Sequence, residues 1–465
     1  MMNTSTLWII FPSLMAMVLL ILRRWMKITW IVSLITAVLL TLFTFVLPFS
    51  GGMQIFHWSF TIQDRFPFFG RELVLGEAER MTLTMLYGGL ALWLVPLPLI
   101  KERRLFPGIS LGLVALLTTI IAIKPFLFAS MLIELSVLLC MPILAVAGQP
   151  VNKGVLRFLS MVTLSVPCIL YAGWIMSRVE VSATQPEMIT RAAVLMGIGF
   201  VFLLGIFPFH SWLPMMLNDL PPYITTFIIF LHTTIVCLFG IGLINNYVWL
   251  KESPLVHIVI VVVGALIVFI AGLLALSQMQ FGRILGYVIM AENGYSLIAI
   301  GLSFEIGLSA FYALLIPRVL ALGLYAFSLN ELKNYRDELS FHALEGAAQY
   351  APWACIGILF AFLSLIGFPP LAAYSSRFYL WEVLAGANFF VSLFVFVGSI
   401  GLLGAGFRMV SVLFTQNVSS LKIQSLEPLI FKVIIGVGTF GLLVIGLVPQ
   451  WINPFLANLM RLFNE

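Results

Sequence analysis

Glu134, His210, His232, Glu292, Arg318 and Arg377 are ionisable side chains set inside long apolar stretches of the chain. A charge at bilayer depth costs about 2.5–3.5 kcal/mol on insertion scales, so it persists where it meets a partner charge, the protein interior or a wet path. Acids and bases distributed in this way are the parts of an ion route or of its remnant. Glutamate can load and release a proton when burial raises its pKa and a nearby cation lowers it. Histidine titrates near neutral pH. Arginine does not readily deprotonate, so Arg318 and Arg377 suit a gate, an ion pair or an anion anchor. Glu292 has two candidate partners, Arg318 across adjacent helices or Arg377. For Glu134 a role in proton transfer stands against a structural one, and His210, beside prolines, could titrate or cap exposed carbonyls.

The elements that must position these groups are membrane helices. The chain has 465 residues, 62% of them hydrophobic and 9% charged, far from the composition of a soluble domain. Apolar runs near 20 residues recur from end to end. The formal net charge of +5 comes from Lys and Arg placed singly in short loops, without the basic stripe of a nucleic-acid binder. Cys140, Cys168, Cys237 and Cys355 lie in apolar segments without ligand spacing and read as small hydrophobes. Leu7–Leu22 is followed at once by another span, so it reads as a retained helix and not a separate signal peptide.

The apolar runs predict an all-α polytopic membrane protein of about fourteen transmembrane helices. The expected divisions are residues 1–107 (three helices and an external loop), 108–245 and 246–414 (two five-helix repeats) and 415–465 (a C-terminal helix). One set of alternating loops is richer in basic residues, among them Arg23, Arg24, Lys27, Lys101, Arg103, Arg104, Lys153, Arg157, Arg283, Lys333, Arg336 and Lys422. Placing that set in the cytoplasm puts both termini outside. The segment Pro48–Glu79, with Phe56, His57, Trp58, Asp64, Arg65 and Arg71, reads as an interfacial cover or partner contact. His57 and Asp64 read there as a surface pair.

Two helices are interrupted. One carries Gly205-Ile-Phe-Pro-Phe-His-Ser-Trp-Leu-Pro214, and the other Gly367-Phe-Pro-Pro370 followed by Ser376 and Arg377. Proline breaks a helix unless the freed carbonyls find partners, and lipid tolerates such breaks only against protein or a wet cavity. Breaks at matching places in two halves are the pattern of inverted repeats.

These segments resemble the proton-conducting membrane transporter family: antiporter-like subunits of respiratory NADH-quinone oxidoreductase, of membrane-bound hydrogenases and of multisubunit cation/proton antiporters. Pro208–Pro214 is similar to the stretch after the family's first broken helix, and Met131–Leu135 to the segment bearing its glutamate. Gln278–Tyr295 is similar to the start of its tenth helix, where the Glu292-Asn293 pair leans toward the hydrogenase-type branch. Gly367–Leu371 with Arg377 is similar to its second broken helix. The resemblance implies lysines near Leu203 and Thr234, which this chain lacks. His232 lies two residues from the second position, about 200° around a helix. Pro317 and Ala321 replace a histidine and a lysine, and Gln280 and Gly282 replace an acidic-basic pair.

The resemblance thus implies a membrane-arm subunit of a respiratory or hydrogenase-type complex, taking part in proton translocation. A degenerate, non-conducting structural subunit, or a partner in inorganic-carbon uptake, are its alternatives. It implies no cofactor in this chain; flavin, iron-sulfur, nickel-iron or quinone would belong to partner subunits. The expected partners are other membrane and soluble subunits and lipid, without nucleic acid, in a bacterial or archaeal cytoplasmic membrane.

Overall fold

The computed structural model describes residues 2–451 apart from positions 50, 56–57, 69, 102–103, 146–147, 149, 180–185, 303 and 416–426. Phe56, His57, Arg103 and Lys422 therefore lie outside the described residues. Helices follow in the order α1 (Phe11–Ile21), α2 (Met26–Val46), α3 (Arg80–Leu94), α4 (Phe106–Ala122), α5 (Ala129–Leu144) and α6 (Lys153–Val179). Next come α7 (Pro186–Leu204), α8 (Trp212–Asp219), α9 (Pro222–Asn246), α10 (Val248–Glu252), α11 (Pro254–Ser277) and α12 (Phe281–Gly301). The last are α13 (Phe304–Tyr335), α14 (Pro352–Ile366), α15 (Tyr374–Ala387), α16 (Phe389–Leu413) and α17 (Leu429–Leu447). Among the described residues eleven segments are long and apolar enough to cross a membrane, and three shorter apolar helices join them. The fourteen spans expected from the sequence are thereby reached.

The segment Pro48–Glu79, expected as an interfacial cover or partner contact, is folded mainly as strands. It holds strands β2 (Gly51–Ile55), β3 (Trp58–Gln63), β4 (Arg65–Phe68) and β5 (Arg71–Val74). β1 (Met2–Asn3) adds in parallel to β3, and β6 (Ile123–Lys124), ahead of α5, pairs with β5. The N-terminus is thus pinned to one three-stranded sheet and the α4–α5 turn to the other.

Burial separates the core from the lipid face. In α9, α12 and α13, 83%, 94% and 78% of the apolar span is buried, against 17% in α17. Those three helices are the most deeply buried spans among the described residues. The contact among α11, α12 and α16 depends on glycine. A Cβ at Gly272 would come within 2.0 Å of the Gly398 carbonyl oxygen, and one at Gly264 within 2.7 Å of the Gly294 carbonyl oxygen. Backbones approach so closely there that any side chain would separate them.

Both broken helices end by the same device. In the first, Ile206 N–H donates to the Val201 carbonyl and Gly205 N–H to Phe202. In the second, Phe368 N–H donates to Leu363 and Gly367 N–H to Ser364. This is the crossed pair of a Schellman C-cap, which requires a left-handed residue after the helix. Gly205 (φ 61°) and Gly367 (φ 82°) supply it. After each break the chain restarts over its own glycine. A Cβ at Gly205 would meet the Trp212 indole at 2.8 Å, and one at Gly367 the Arg377 Cδ at 2.6 Å.

Candidate functional site: a buried charge cluster and two broken helices

Three of the six residues singled out in the sequence meet at one point. Glu292, in the middle of α12, is 2% exposed, Arg318 of α13 is 2% and Arg377 of α15 is 5%. Arg318 Nε donates to Glu292 Oε2 at 2.7 Å, and its Nη2 donates to the Glu292 carbonyl and to Ser296 Oγ, both at 2.8 Å. Arg377 Nη2 takes the other carboxylate oxygen, Oε1. Glu292 therefore pairs with both candidates, one on each oxygen.

The rest of Arg377 is shaped by the second break. Its guanidinium lies 3.9 Å over the Tyr295 ring, a cation–π contact in a desolvated place. Its Nη1 reaches the Ile366 carbonyl, at the end of α14, at 3.5 Å. A cation at a helix C-terminus satisfies a freed carbonyl and complements the negative end of the dipole. Tyr295 is held in turn by a 2.8 Å hydrogen bond to Ser399 of α16. With two guanidiniums on one carboxylate, the side chains carry one net positive charge, and the α14 terminus offsets part of it.

Ser296 and Tyr295 escaped the sequence reading. Both follow Glu292 by helical spacing, at i+4 and i+3, so they share its face. That spacing was the available signal.

The first break is served differently. His232 of α9 is 3% exposed, and its Nε2 donates to the Leu203 carbonyl at 3.0 Å. Leu203 is the position where the family resemblance implied a lysine. A cationic side chain is absent, and a neighbouring helix supplies an imidazole to the backbone instead. The rings of Phe158 and Trp212 stand nearly perpendicular to that imidazole, with centroids 4.9 and 6.3 Å away. His210, in the turn after the break, interacts with the Pro208 backbone and lies beside Phe207 and Tyr287.

Glu134 stands apart from these groups. It is only partly buried on α5, and its carboxylate accepts from Thr163 Oγ1 of α6 at 2.8 Å. Among the described residues no ion pair includes it. The structure thus brings Glu292, Arg318 and Arg377 together, while Glu134 and His232 are each bonded to other, uncharged groups. A group of three or more His, Cys, Asp or Glu side chains able to hold a metal ion does not occur among the described residues.

Comparison with known proteins agrees with this architecture. The family model described as "NADH:quinone oxidoreductase/Mrp antiporter, TM" matches residues 110–402. NADH-quinone oxidoreductase subunit N of Ruthia magnifica subsp. Calyptogena magnifica is 23% identical over 288 residues, covering 59% of this chain and 57% of that relative. The chain thus spans a little over half the length of that relative. NADH-quinone oxidoreductase subunit 14 of Thermus thermophilus is 28% identical over 370 residues, 76% of this chain and 81% of that one. A chain of the solved respiratory complex I from Thermus thermophilus with bound NADH superposes with a TM-score of 0.77 at 16% identity, covering 99% of each chain. At that identity the superposition speaks for the fold. With most of its length inside the family model, both breaks included, the chain belongs to the NADH:quinone oxidoreductase/Mrp antiporter transmembrane family.

Proposed function

We propose that this chain is an antiporter-like membrane-arm subunit of a multisubunit respiratory or hydrogenase-type complex, taking part in proton translocation coupled to electron transfer in partner subunits. Redox cofactors belong, on this reading, to those partners, and both termini lie on the external side of a cytoplasmic membrane. The observation that carries the proposal is the Glu292–Arg318–Arg377 cluster, buried where the second broken helix meets the centre of the fold. A charge cluster at that depth is costly and is expected where ions or coupled charges move.

The two halves have different parts in this reading. Arginine holds its proton, so the second half supplies fixed charge. Glu134, His210 and His232 are the side chains able to exchange protons, and they belong to the first half. The assembled complex, reconstituted in liposomes with Glu134→Gln, tests this. A lower ratio of protons translocated to electrons transferred is expected. An unchanged ratio overturns a pumping role for this subunit.

The second reading is a non-conducting scaffold. It is favoured by the partner of Glu134, a neutral threonine where a pump needs a cation. Full translocation with Glu134→Gln, in a complex that fails to assemble without this chain, would establish that reading in its place.

A further inference from the structure

α6 and α7 pack closely at one level and part at another. A Cβ at Gly199 of α7 would lie 2.6 Å from the Ile169 side chain of α6, so the two helices press together there. Toward the end of α6 and the start of α7 a cleft of about 450 Å³ opens between them. Its walls include Tyr171, Trp174 and Ile175 of α6 and Arg191, Val194 and Leu195 of α7. Such a volume lies within the range of small-molecule sites, roughly 300–1,000 Å³. The cleft opens on the outside of the helices, where Tyr171, Trp174 and Val194 are 54%, 49% and 56% exposed. Both helices belong to segments apolar enough to cross a membrane, so the cleft is reached from the bilayer.

Its level is that of the membrane surface on the side of the strands. A Cβ at Gly173 would lie 2.4 Å from Leu127, three residues after β6. Glu187 opens the apolar α7 segment, and Arg191 follows one turn later. The Tyr171 and Trp174 rings stack with centroids 5.6 Å apart, as suits amphipathic rings at head-group level. Glu187 and Arg191 face each other at 3.6 Å, with side chains 85% and 72% exposed. An exposed pair of this kind holds loosely, so both charges are open to a ligand.

The order of the two charges selects that ligand. Four residues place Arg191 about 6 Å further along the helix, and so deeper, than Glu187. A zwitterionic phospholipid has the same order: its phosphate is joined to the glycerol that carries the tails, and its ammonium lies beyond. A guanidinium takes phosphate oxygens in a bidentate fork, and a primary ammonium donates to a carboxylate. An anionic phospholipid would satisfy Arg191 and leave Glu187 without a cation. We propose that this cleft binds a phospholipid of the ethanolamine class, its phosphate on Arg191, its ammonium on Glu187 and an acyl chain between α6 and α7. Tyr171, Ile175, Val194 and Leu195 wall the chain. The site stands independently of the translocation role proposed above.

Purification of the protein from its native membrane in mild detergent, with mass spectrometry of the retained lipid and cryo-electron microscopy, tests the site. An ethanolamine phospholipid that survives extensive washing is expected, with density running from Arg191 into the cleft. The double variant Glu187→Arg/Arg191→Glu keeps an oppositely charged pair one turn apart and reverses its order. Its hold on that lipid should weaken by at least about tenfold, the effect of losing a charge-assisted contact. Unchanged retention in this variant overturns the proposal, as does density for a quinone, or for no ligand, in the unaltered protein. If the variant fails to assemble, the unaltered protein, stripped of lipid and offered equal amounts of ethanolamine, choline and glycerol phospholipids, decides in its place. Preferential uptake of the ethanolamine lipid is expected, and equal uptake of either competitor overturns the assignment.

Discussion

The two breaks are closed by the same backbone motif and then tended by different chemistry. At the first, His232 donates to the Leu203 carbonyl from a neighbouring helix. At the second, Arg377 reaches Ile366 from the restarted helix itself and extends to Glu292. A neutral donor ends its work at the backbone. A guanidinium has donors left over and a charge to balance, so it draws in a carboxylate, which draws in a second arginine. The first half therefore keeps Glu134, His210 and His232 apart, while the second gathers its charges into one knot. Two breaks closed by the same backbone motif thus differ in whether they gather charge, through the identity of one side chain at each.

Removing the knot's carboxylate should have the largest effect. Glu292→Gln leaves Arg318 and Arg377 buried without a counter-charge, a loss of about 3–5 kcal/mol for a broken buried pair. Reduced yield of assembled complex and a lower melting temperature are the expected readouts. If the variant melts like the parent, the cluster is not a satisfied ion network and the contrast between halves collapses.

The corresponding change in the first half should cost less. His232→Leu removes a neutral donor and leaves the Leu203 carbonyl unpaired, a penalty of about 1–3 kcal/mol. Thermal melting of the two variants side by side ranks the breaks. An effect of His232→Leu equal to that of Glu292→Gln would show that charge is not what distinguishes them.

Glu134→Gln sharpens the same contrast from the other side. An amide can still accept from Thr163, so assembly and melting should change by less than about 1 kcal/mol, within the range of one hydrogen bond. Only proton translocation should drop. A large loss of stability would instead make Glu134 a structural group whose partner is not apparent from the Thr163 contact.

Much of this was legible in the residues. Glycine and proline punctuate a helix through their own backbone chemistry, so Gly205, Pro208, Gly367 and Pro370 marked both breaks in one dimension. The spans followed from apolar run length. The pairing of Glu292 was only half legible, because Arg377 lies 85 residues away in sequence and its direction depends on how α15 restarts. The capping of Leu203 by His232 was hidden for a similar reason: a position two residues from the expected lysine looked misdirected on an ideal helix, and the carbonyl freed by the Schellman turn gave that direction a purpose. The strands in Pro48–Glu79 were missed because aromatic and charged residues there read as an interfacial surface, while their pairing depends on partners as distant as Met2 and Lys124.

The smallest effect concerns how the interrupted helices begin. α14 starts against a buried carboxylate, since Glu427 accepts from Trp353 N at 3.2 Å and Ala354 N at 2.8 Å, a charge placed at the positive end of the helix dipole. α7 has only Glu187 in its first turn, 85% exposed and 3.6 Å from Arg191. Burial raises the Glu427 carboxyl above the ordinary range, against the lowering effect of those two backbone donors and of Lys432. A raised folded-state value means the native protein binds that proton more tightly than the unfolded chain. The resulting stability is full below the ordinary carboxylate range and is lost as pH rises through the raised value. Glu427→Gln should therefore flatten the fall of melting temperature across that range, and Glu187→Gln should leave the profile unchanged. Matching profiles for the two variants would mean that the starts of the two interrupted helices, unlike their ends, do not differ in electrostatics.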